Sequence, residues 1–363
     1  MDHFRLFSFA SVVLCLLAGA FSSHGQSKFQ GFTLPNSYRG KQAWDAFKEQ
    51  YISSDGRVID DANGGISHSE GQGYGMLLAV KYRDLATFSV LWSWTRTNLQ
   101  VREDGLFAWK WDPSAGPNPI QDQNNATDGD LLIAWALQRG AELWKNDRHM
   151  EEAMKIVRTV RRTMIVDSPY GSLLLPGGSG FQKPDGVVVN LSYWIFPAFL
   201  DIKRIDPSYV WDNLYLSGKR LMADARFGKW NLPPDWLFVP NSGPPQLPDE
   251  FTPVYGYNAV RIPLYLKWSG DDDNSLYAPF IDWATHTSNI DQLPDLVNLK
   301  TNQPGEYTII PGMMAVYHFI APKEVPAPSS PTGGYTSYYS ACLRLLTKLA
   351  SEEAGKYSSL PRP

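Results

Sequence analysis

The chain has 363 residues, of which 43% are hydrophobic and 19% charged, with 33 Lys and Arg against 37 Asp and Glu. A chain of this length can bury a large core without a disulfide or a metal ion. The slightly acidic balance argues against a nucleic-acid-binding protein, and 13 Trp, 18 Tyr and 17 Phe exclude a disordered chain. Aromatic side chains fill cores or stack on flat ligands such as sugars, and composition leaves both roles open.

The first 25 residues have the three-part pattern of a secretory signal peptide. A single Arg precedes an apolar run from Leu6 to about Ala20, and small and polar residues follow. The run is shorter than the roughly 20 residues of a membrane span, and no later stretch is longer and as apolar. We therefore predict cleavage after residues 1–25, a single domain over residues 26–363 without a membrane anchor, and a secreted or periplasmic location.

Cysteine usage argues against disulfide and zinc chemistry. Cys15 lies inside the apolar run, so cleavage leaves Cys342 alone. One cysteine cannot form an internal disulfide, and its helix-like surroundings favour a small buried apolar role. Because a Cys and His ligand set is missing, we predict no metal site.

Helical periodicity dominates the remaining chain. In the segment 130–145, for example, Leu131 and Trp135 recur at helical spacing with polar positions between them. The predicted helices cover residues 41–52, 72–84, 86–99, 130–145, 149–165, 191–203, 208–225, 257–268, 275–286, 310–319 and 335–351. The best strand signals lie at 173–176 and 187–189. No composition shift marks a linker, so we predict one all-α domain with functional loops at one end.

The segment Ser67–Met76, SHSEGQGYGM, is the first candidate site. Its three glycines permit close approach of the backbone to a ligand or a positive φ. Glu70 is a candidate general acid if aromatic neighbours desolvate its carboxyl and favour the protonated form. The alternative is a helix-capping carboxylate that interacts with free N–H groups.

The segment NNATDGD, residues 124–130, is the second candidate and leads directly into an apolar helix. Thr127 or Asp128 is suited to cap this helix, and Asp130 would interact favourably with its dipole. A calcium loop would need more oxygen ligands and a closing Glu. Capping therefore explains one Asp and leaves the other free to act on a ligand.

The segment YGYNAVRIPL, residues 255–264, is the third candidate. It places two tyrosines, an amide and a guanidinium at another helix start. Arg261 can orient a carboxylate or a sugar hydroxyl. The alternative is a surface Arg beside two core tyrosines.

Together these three segments resemble glycoside hydrolase family 8, most closely its bacterial cellulase branch associated with cellulose synthesis. The resemblance covers nearly the whole mature chain, and SEGQGYGM with ATDGD at this separation is its most specific part. It implies an (α/α)6 barrel whose loops at one end form an open cleft for a β-1,4-glucan. It also implies that residues 26–363 form a catalytic domain that hydrolyses the glucan with inversion, without a metal or an organic cofactor.

The resemblance assigns roles residue by residue. Glu70 matches the general acid, and Asp128 matches a motif carboxylate described as the nucleophile or as gripping the sugar ring. Tyr193 matches a tyrosine near the attacking water. The residues that match substrate-binding positions or lie in segments with aromatic sugar platforms are Trp109, Trp111, Tyr193, Tyr257, Asn258 and Arg261.

Position 258 departs from the family pattern. Many members carry there an Asp that serves as general base, whereas an amide can orient a water but cannot accept its proton. Asn258 therefore leaves the identity of the base open. The candidates are Asp128, which is favoured because it lies in a matched motif, and Asp249, Glu250 and Asp185.

These observations predict a secreted endo-β-1,4-glucanase that acts on cellulose or soluble β-glucan. Xylan and chitosan remain alternative substrates, since neighbouring sugars differ by one or two substituents. A glucan-binding protein with little catalysis is the alternative from another class, because Asn258 replaces the usual base. The protein is expected to act as a monomer and to have a functional link to a cellulose synthase complex.

Overall fold

The computed structural model describes residues 36–328 and 337–360; the predicted signal peptide lies outside these ranges. The described residues are rich in helix, and most strands are short. Their eleven α-helices are α1 (Asn36–Tyr51), α2 (Ser69–Lys81), α3 (Leu85–Asn98), α4 (Thr127–Trp144), α5 (Asp147–Thr163), α6 (Phe196–Ile202), α7 (Tyr209–Asp224), α8 (Arg261–Trp268), α9 (Asn274–Thr285), α10 (Pro311–Ile320) and α11 (Tyr338–Ser358).

Short antiparallel strands occupy several of the connections. They are β1 (Ser67–His68), β2 (Lys110–Trp111), β3 (Ile165–Ser168), β4 (Gly171–Leu174), β5 (Gln182–Lys183), β6 (Gly186–Val189), β7 (Leu237–Pro240), β8 (Val254–Tyr255) and β9 (Val297–Asn298). β1 pairs with β2, β3 with β4 and β8 with β9, while β5, β6 and β7 form a three-stranded sheet in that order. The two strand segments predicted from sequence correspond to β4 and β6.

Helices α2, α4, α6, α8, α10 and α11 form a closed inner ring. Each contacts the next, and α11 returns to α2. The other five described helices pack outside it: α3 lies on α2, α5 on α4, α7 on α6, α9 on α8 and α10, and α1 on α11. This two-layered closed ring is the predicted (α/α)6 barrel, and it confirms the fold class.

Burial separates the two layers as expected for inner and outer helices. Inner helix α4 is buried at every residue from Thr127 to Gln138, so it faces protein on all sides. Outer helix α5 buries Ala153, Ile156, Val157 and Val160, which share one face, along with Thr159. A helix buried all round belongs in an interior, whereas a one-sided apolar stripe packs a helix onto a core from outside.

Two inner helices begin later than the sequence predicts, and α11 ends at Ser358, seven residues beyond its predicted end. The prediction for 191–203 is wrong at its beginning, because 191–193 form a single 3₁₀ turn and α6 starts at Phe196, with Pro197 in its first turn. The prediction for 257–268 is likewise too long, since residues 257–260 form a turn before Arg261. Cys342 is buried, as predicted. Within the described ranges, no helix is both long and apolar enough to cross a bilayer.

Candidate active site

Two glycines bring the first turns of α2 and α4 into close contact. A Cβ on Gly129 would lie 2.1 Å from Ser69 Oγ and 2.8 Å from the backbone N of Glu70, and a Cβ on Gly73 would lie 2.5 Å from a side chain of α4. None of the three glycines in SEGQGYGM has a positive φ. In the substrate-free structure these glycines therefore allow close packing of the helices. This packing brings Glu70 beside Asp128.

Glu70 and Asp128 form a buried carboxyl pair. The two groups lie within hydrogen-bonding reach of each other. Asp128 Oδ1 accepts a hydrogen bond of 2.8 Å from the N–H of Gly129, while Oδ2 is buried without a donor among the described residues. Burial and the negative charge of Glu70 raise the pKa of Asp128 well above its usual value. The surroundings of Asp128 therefore favour its protonated form.

The pKa of Glu70 moves in the opposite direction. Burial alone would raise it, but the positive charges of Arg261 and His68 outweigh burial and hold the pKa of Glu70 below its ordinary value. The sequence predicts a protonated Glu70 if aromatic neighbours desolvate it. The contact of this carboxyl with the guanidinium of Arg261 is not visible in the sequence. The pKa values of the two neighbouring carboxyl groups are therefore shifted in opposite directions in the substrate-free site.

Arg261 lies at the centre of the site. It is 2% exposed, so the alternative of a surface Arg is wrong. Its Nη1 pairs with Glu70 and lies 3.0 Å from the hydroxyl of Tyr74, and its Nη2 donates to Ser192 Oγ at 3.0 Å and Asn258 Oδ1 at 2.9 Å. Asp128 Oδ2 is 3.7 Å from Nη1. The planar guanidinium thus fixes groups from several inner helices in one arrangement.

Asn258 connects Arg261 to a further carboxylate, Asp235. The Asn258 Nδ2 donates to Asp235 Oδ2 at 3.4 Å, while Asp235 Oδ1 accepts from the backbone N–H groups of Gly256 at 3.0 Å and Ala259 at 2.8 Å. Sequence reasoning missed Asp235, which lies in NLPPDW, outside the three motifs. In the sequence, only the position of Asp235 in the run Pro-Pro-Asp-Trp distinguishes it from other acidic residues.

Tyr193 and Tyr257 lie next to this network. Tyr193 is half-buried, and burial together with the charges of Asp128 and Glu70 raises the pKa of its hydroxyl well above the usual value. Tyr257 is 40% exposed. Its hydroxyl donates to Asp295 Oδ2 at 2.9 Å, and its carbonyl accepts from the hydroxyl of Tyr339. Both rings are accessible enough to contact a ligand.

Trp109 contacts the start of the segment SEGQGYGM through the backbone. Its carbonyl accepts a 3.1 Å hydrogen bond from the N–H of Ser69, one residue before Glu70. Its indole N–H donates to Asp122 at 2.8 Å. Trp111 lies two residues further along, edge-on to Trp94 at 5.7 Å between ring centroids.

The carboxylates considered as alternative bases do not join the network. Asp249 has a fully exposed side chain 3.9 Å from Lys300, and Glu250 pairs with Lys183 at 2.8 Å. Asp185 is exposed as well. Among the described residues, no hydrogen bond or ion pair links any of these three to the buried site.

The predicted caps at the start of α4 are wrong. The cap position is Ala126, which makes no side-chain capping bond. Thr127 Oγ1 instead donates to the carbonyl of Leu175 at 2.7 Å. Asp130 accepts from the N–H of Phe107 at 3.0 Å and from Asn125 Nδ2 at 2.7 Å, so it anchors the preceding loop. Tertiary contacts therefore replace local capping at this helix.

This arrangement suits acid–base chemistry on a neutral polar ligand. Two neighbouring carboxyl groups with opposite pKa shifts, a buried guanidinium and partly exposed aromatic rings meet at the N-terminal ends of inner helices. Within residues 36–328 and 337–360, no group of three or more His, Cys, Asp or Glu is suited to hold a metal ion.

Comparison with known proteins agrees with this chemistry. Residues 19–353 match the family model described as "Glycosyl hydrolases family 8". The chain is 39% identical to the "Probable endoglucanase" of Novacetimonas hansenii, over 86% of this chain and 91% of that protein, and 37% identical to the endoglucanase of Cellulomonas uda, over 76% of each. It superposes on endo-β-1,4-glucanase CMCax from Acetobacter xylinum with a TM-score of 0.81 and 39% identity, covering 87% of this chain and 98% of that structure. The chain therefore belongs to glycosyl hydrolase family 8.

Proposed function

We propose that this protein is an endo-β-1,4-glucanase that hydrolyses internal bonds of cellulose or soluble β-glucan with inversion at the anomeric carbon. The observation that carries the proposal is the buried pair of Glu70 and Asp128, held by Arg261 beside accessible aromatic rings. The relatives named endoglucanase support the same substrate class.

Glu70 is the general acid of the proposed reaction. The leaving sugar oxygen needs a proton as the glycosidic bond breaks, since an alkoxide is a poor leaving group. In the free protein the raised pKa of Asp128 favours a proton on this carboxyl, which lies beside Glu70. When a sugar binds, the proton passes from Asp128 to Glu70, and Glu70 donates it to the glycosidic oxygen. Asp128, which is then ionised, holds the ring.

The remaining predicted residues bind the glucan chain. Tyr193, Tyr257 and Trp109 present rings to the apolar faces of glucose units, where stacking adds contact area without a charge. Arg261 and Asn258 supply hydrogen bonds to sugar hydroxyls, and both are already oriented by the contact between them at 2.9 Å. Specificity among cellulose, xylan and chitosan depends on these contacts.

A secreted or periplasmic enzyme with a functional link to a cellulose synthase complex extends this proposal. Its support is the signal-like sequence of residues 1–25 and the resemblance to the branch associated with cellulose synthesis. Action as a monomer also remains a prediction, tested by light scattering of the purified protein.

Release of reducing sugar from carboxymethylcellulose tests the proposed activity. We expect activity in the parent and a loss of about 10²- to 10⁴-fold in Glu70→Gln, because an amide cannot donate the required proton. Glu250→Gln is the matched control, since it removes an exposed carboxylate that pairs with Lys183. Retained activity in folded Glu70→Gln would remove Glu70 from the acid role.

Cellohexaose separates hydrolysis from binding alone. An enzyme produces shorter oligosaccharides, whereas a glucan-binding protein binds cellohexaose without cleaving it. Activity on xylan or chitosan in place of carboxymethylcellulose would keep the hydrolase and change its substrate.

A further inference from the structure

The buried carboxyl pair supplies the acid but leaves the proton acceptor for the attacking water unassigned. An inverting glycosidase holds its two catalytic carboxyl groups about 6.5–9.5 Å apart, so that a water fits between the base and the sugar. Glu70 pairs with Nη1 of Arg261, and Asp128 Oδ2 lies 3.7 Å from the same nitrogen, so these two carboxyl groups lie closer together than that. If hydrolysis proceeds with inversion, as proposed above, the second carboxylate must therefore lie elsewhere.

Asp235 is the carboxylate at the other end of the network that begins at Glu70. Glu70 pairs with Arg261, whose Nη2 donates to Asn258 Oδ1, and Asn258 Nδ2 in turn contacts Asp235 Oδ2. The guanidinium and the amide thus stand between the two carboxylates. Among the described residues, no other carboxylate joins the network from that side.

The two oxygens of Asp235 have different surroundings. Oδ1 accepts from two backbone N–H groups, those of Gly256 and Ala259, and is therefore committed to the turn before α8. Oδ2 makes one long contact of 3.4 Å with Asn258. A carboxylate oxygen has two lone pairs, so Oδ2 retains capacity to accept a hydrogen bond from a water.

We propose that Asp235 is the general base of this enzyme, and that Asn258 orients the attacking water toward it. The water oxygen bonds to the anomeric carbon while one water proton passes to Asp235 Oδ2. The bond from the anomeric carbon to the glycosidic oxygen breaks, and that oxygen takes the proton of Glu70. Asp235 then loses its proton to solvent, and the pair of Glu70 and Asp128 regains one proton from solvent, so one water is consumed for each bond cleaved.

The surroundings of Asp235 suit this role. The side chain is 7% exposed, and burial raises its pKa above the ordinary value although the turn N–H groups and Asn258 act to lower it. A higher pKa makes a carboxylate a stronger proton acceptor, provided it remains ionised at the working pH. An amide neighbour also avoids the repulsion that a second carboxylate at 258 would create.

Exchange of the amide and the carboxylate provides the sharpest test. Asp235→Asn retains an Oδ1 that accepts from Gly256 and Ala259, so the turn is preserved, but it removes the base. We expect kcat on cellohexaose to fall by about 10²- to 10⁴-fold with KM changed less than about threefold, and the acid limb of the pH profile to disappear. The double variant Asp235→Asn with Asn258→Asp again has one amide and one carboxylate at these positions. We expect its kcat to be at least about tenfold higher than that of Asp235→Asn alone.

The possible outcomes distinguish Asp235 from the other candidate bases. A parent enzyme that fails to cleave cellohexaose would overturn the proposed function itself. A parent that cleaves, together with an active Asp235→Asn variant, would leave that function intact and overturn the role of Asp235. An inactive but folded double variant would show that Asp235 only supports the turn, and loss of activity in Asp249→Asn or Glu250→Gln would place the base on the exposed loop.

Discussion

At the scale of single residues, the charge of Arg261 helps to shift the pKa values of two neighbouring carboxyl groups in opposite directions. Its Nη1 pairs with Glu70 and lies 3.7 Å from Asp128, so the positive charge acts mainly on Glu70. Burial acts on both carboxyls, but Glu70 has the cation as compensation and Asp128 does not. Two similar side chains thus acquire opposite protonation preferences from their surroundings.

Asp128→Asn should lose activity while the fold is retained. The asparagine resembles the protonated carboxyl, and its Oδ1 still accepts from the N–H of Gly129. We therefore expect the free energy of unfolding to change by about 1 kcal/mol or less. Activity should fall at least about 10²-fold, because an amide at this position cannot pass a proton to Glu70. Thermal melts and cellohexaose kinetics on the same sample test both points, and retained activity would contradict the role.

Asn258→Asp should shift the pH optimum upward. The new carboxylate would lie within contact distance of Asp235 Oδ2, where Asn258 Nδ2 is now 3.4 Å away. Like charges at that distance raise one of the two pKa values, so the acid limb of the rate profile moves to higher pH. Rate profiles of the parent and the variant measure the shift, and an unchanged limb would contradict it.

Sequence reasoning recovered part of this residue-scale account. Glu70, Asp128, Asn258 and Arg261 lie in motifs that the sequence displays, and the structure brings them together. Asp235 lies 23 residues before Asn258, in a segment without a motif, and folding alone brings the two into contact. The lowered pKa of Glu70 could not be predicted from the sequence either, because it depends on Arg261, which lies 191 residues away in the chain.

At the scale of elements, glycine packing between α2 and α4 positions the carboxyl pair. Gly129 and Gly73 allow the two helices to approach more closely than any side chain would permit. The motifs SEGQGYGM and ATDGD are therefore packing motifs as well as chemical ones. Their glycines were visible in the sequence, but their purpose depended on which helix faces which, and that is tertiary information.

Gly129→Ala should separate α2 from α4. The new Cβ would meet Ser69 Oγ at 2.1 Å and the Glu70 N at 2.8 Å, so one helix must move. We expect a loss of about 1–3 kcal/mol in the free energy of unfolding and a marked loss of activity. Gly355→Ala in α11 is the control, since no atom lies within 4 Å and it should gain about 0.5–1 kcal/mol. Equal effects of the two substitutions in denaturation experiments would contradict the packing role.

At the scale of the whole molecule, the inner ring has two different ends. The N-terminal ends of α2, α4 and α8 carry the site, where Asp128 Oδ2 has no donor among the described residues. At the other end Asp201 accepts from Trp135 Nε1 at 2.8 Å and from the hydroxyl of Tyr357 at 2.7 Å. Helical periodicity predicted the helices, whereas the closed ring followed from the family resemblance, because periodicity cannot specify the order of packing.

Asp130 should make stability depend on pH. Burial raises its pKa to about 7 in the folded chain, against an ordinary value of 3.8. Between those values the folded state binds more protons than the unfolded state, so the contribution of Asp130 falls as pH rises from about 4 to about 7, by at most about 1.4 kcal/mol per pH unit. Urea denaturation across this range should give a flatter dependence for Asp130→Asn than for the parent, and identical slopes would contradict the assignment.

The anomeric configuration of the first product tests the central claim most directly. Proton NMR of cellohexaose during the first minutes of cleavage, before mutarotation, reports the configuration of the new reducing end. Inverting hydrolysis of an internal β-1,4 bond predicts that the α-anomer appears first and converts to the β-anomer afterwards. Initial appearance of the β-anomer would mean retention, and it would contradict a mechanism with separate acid and base carboxylates.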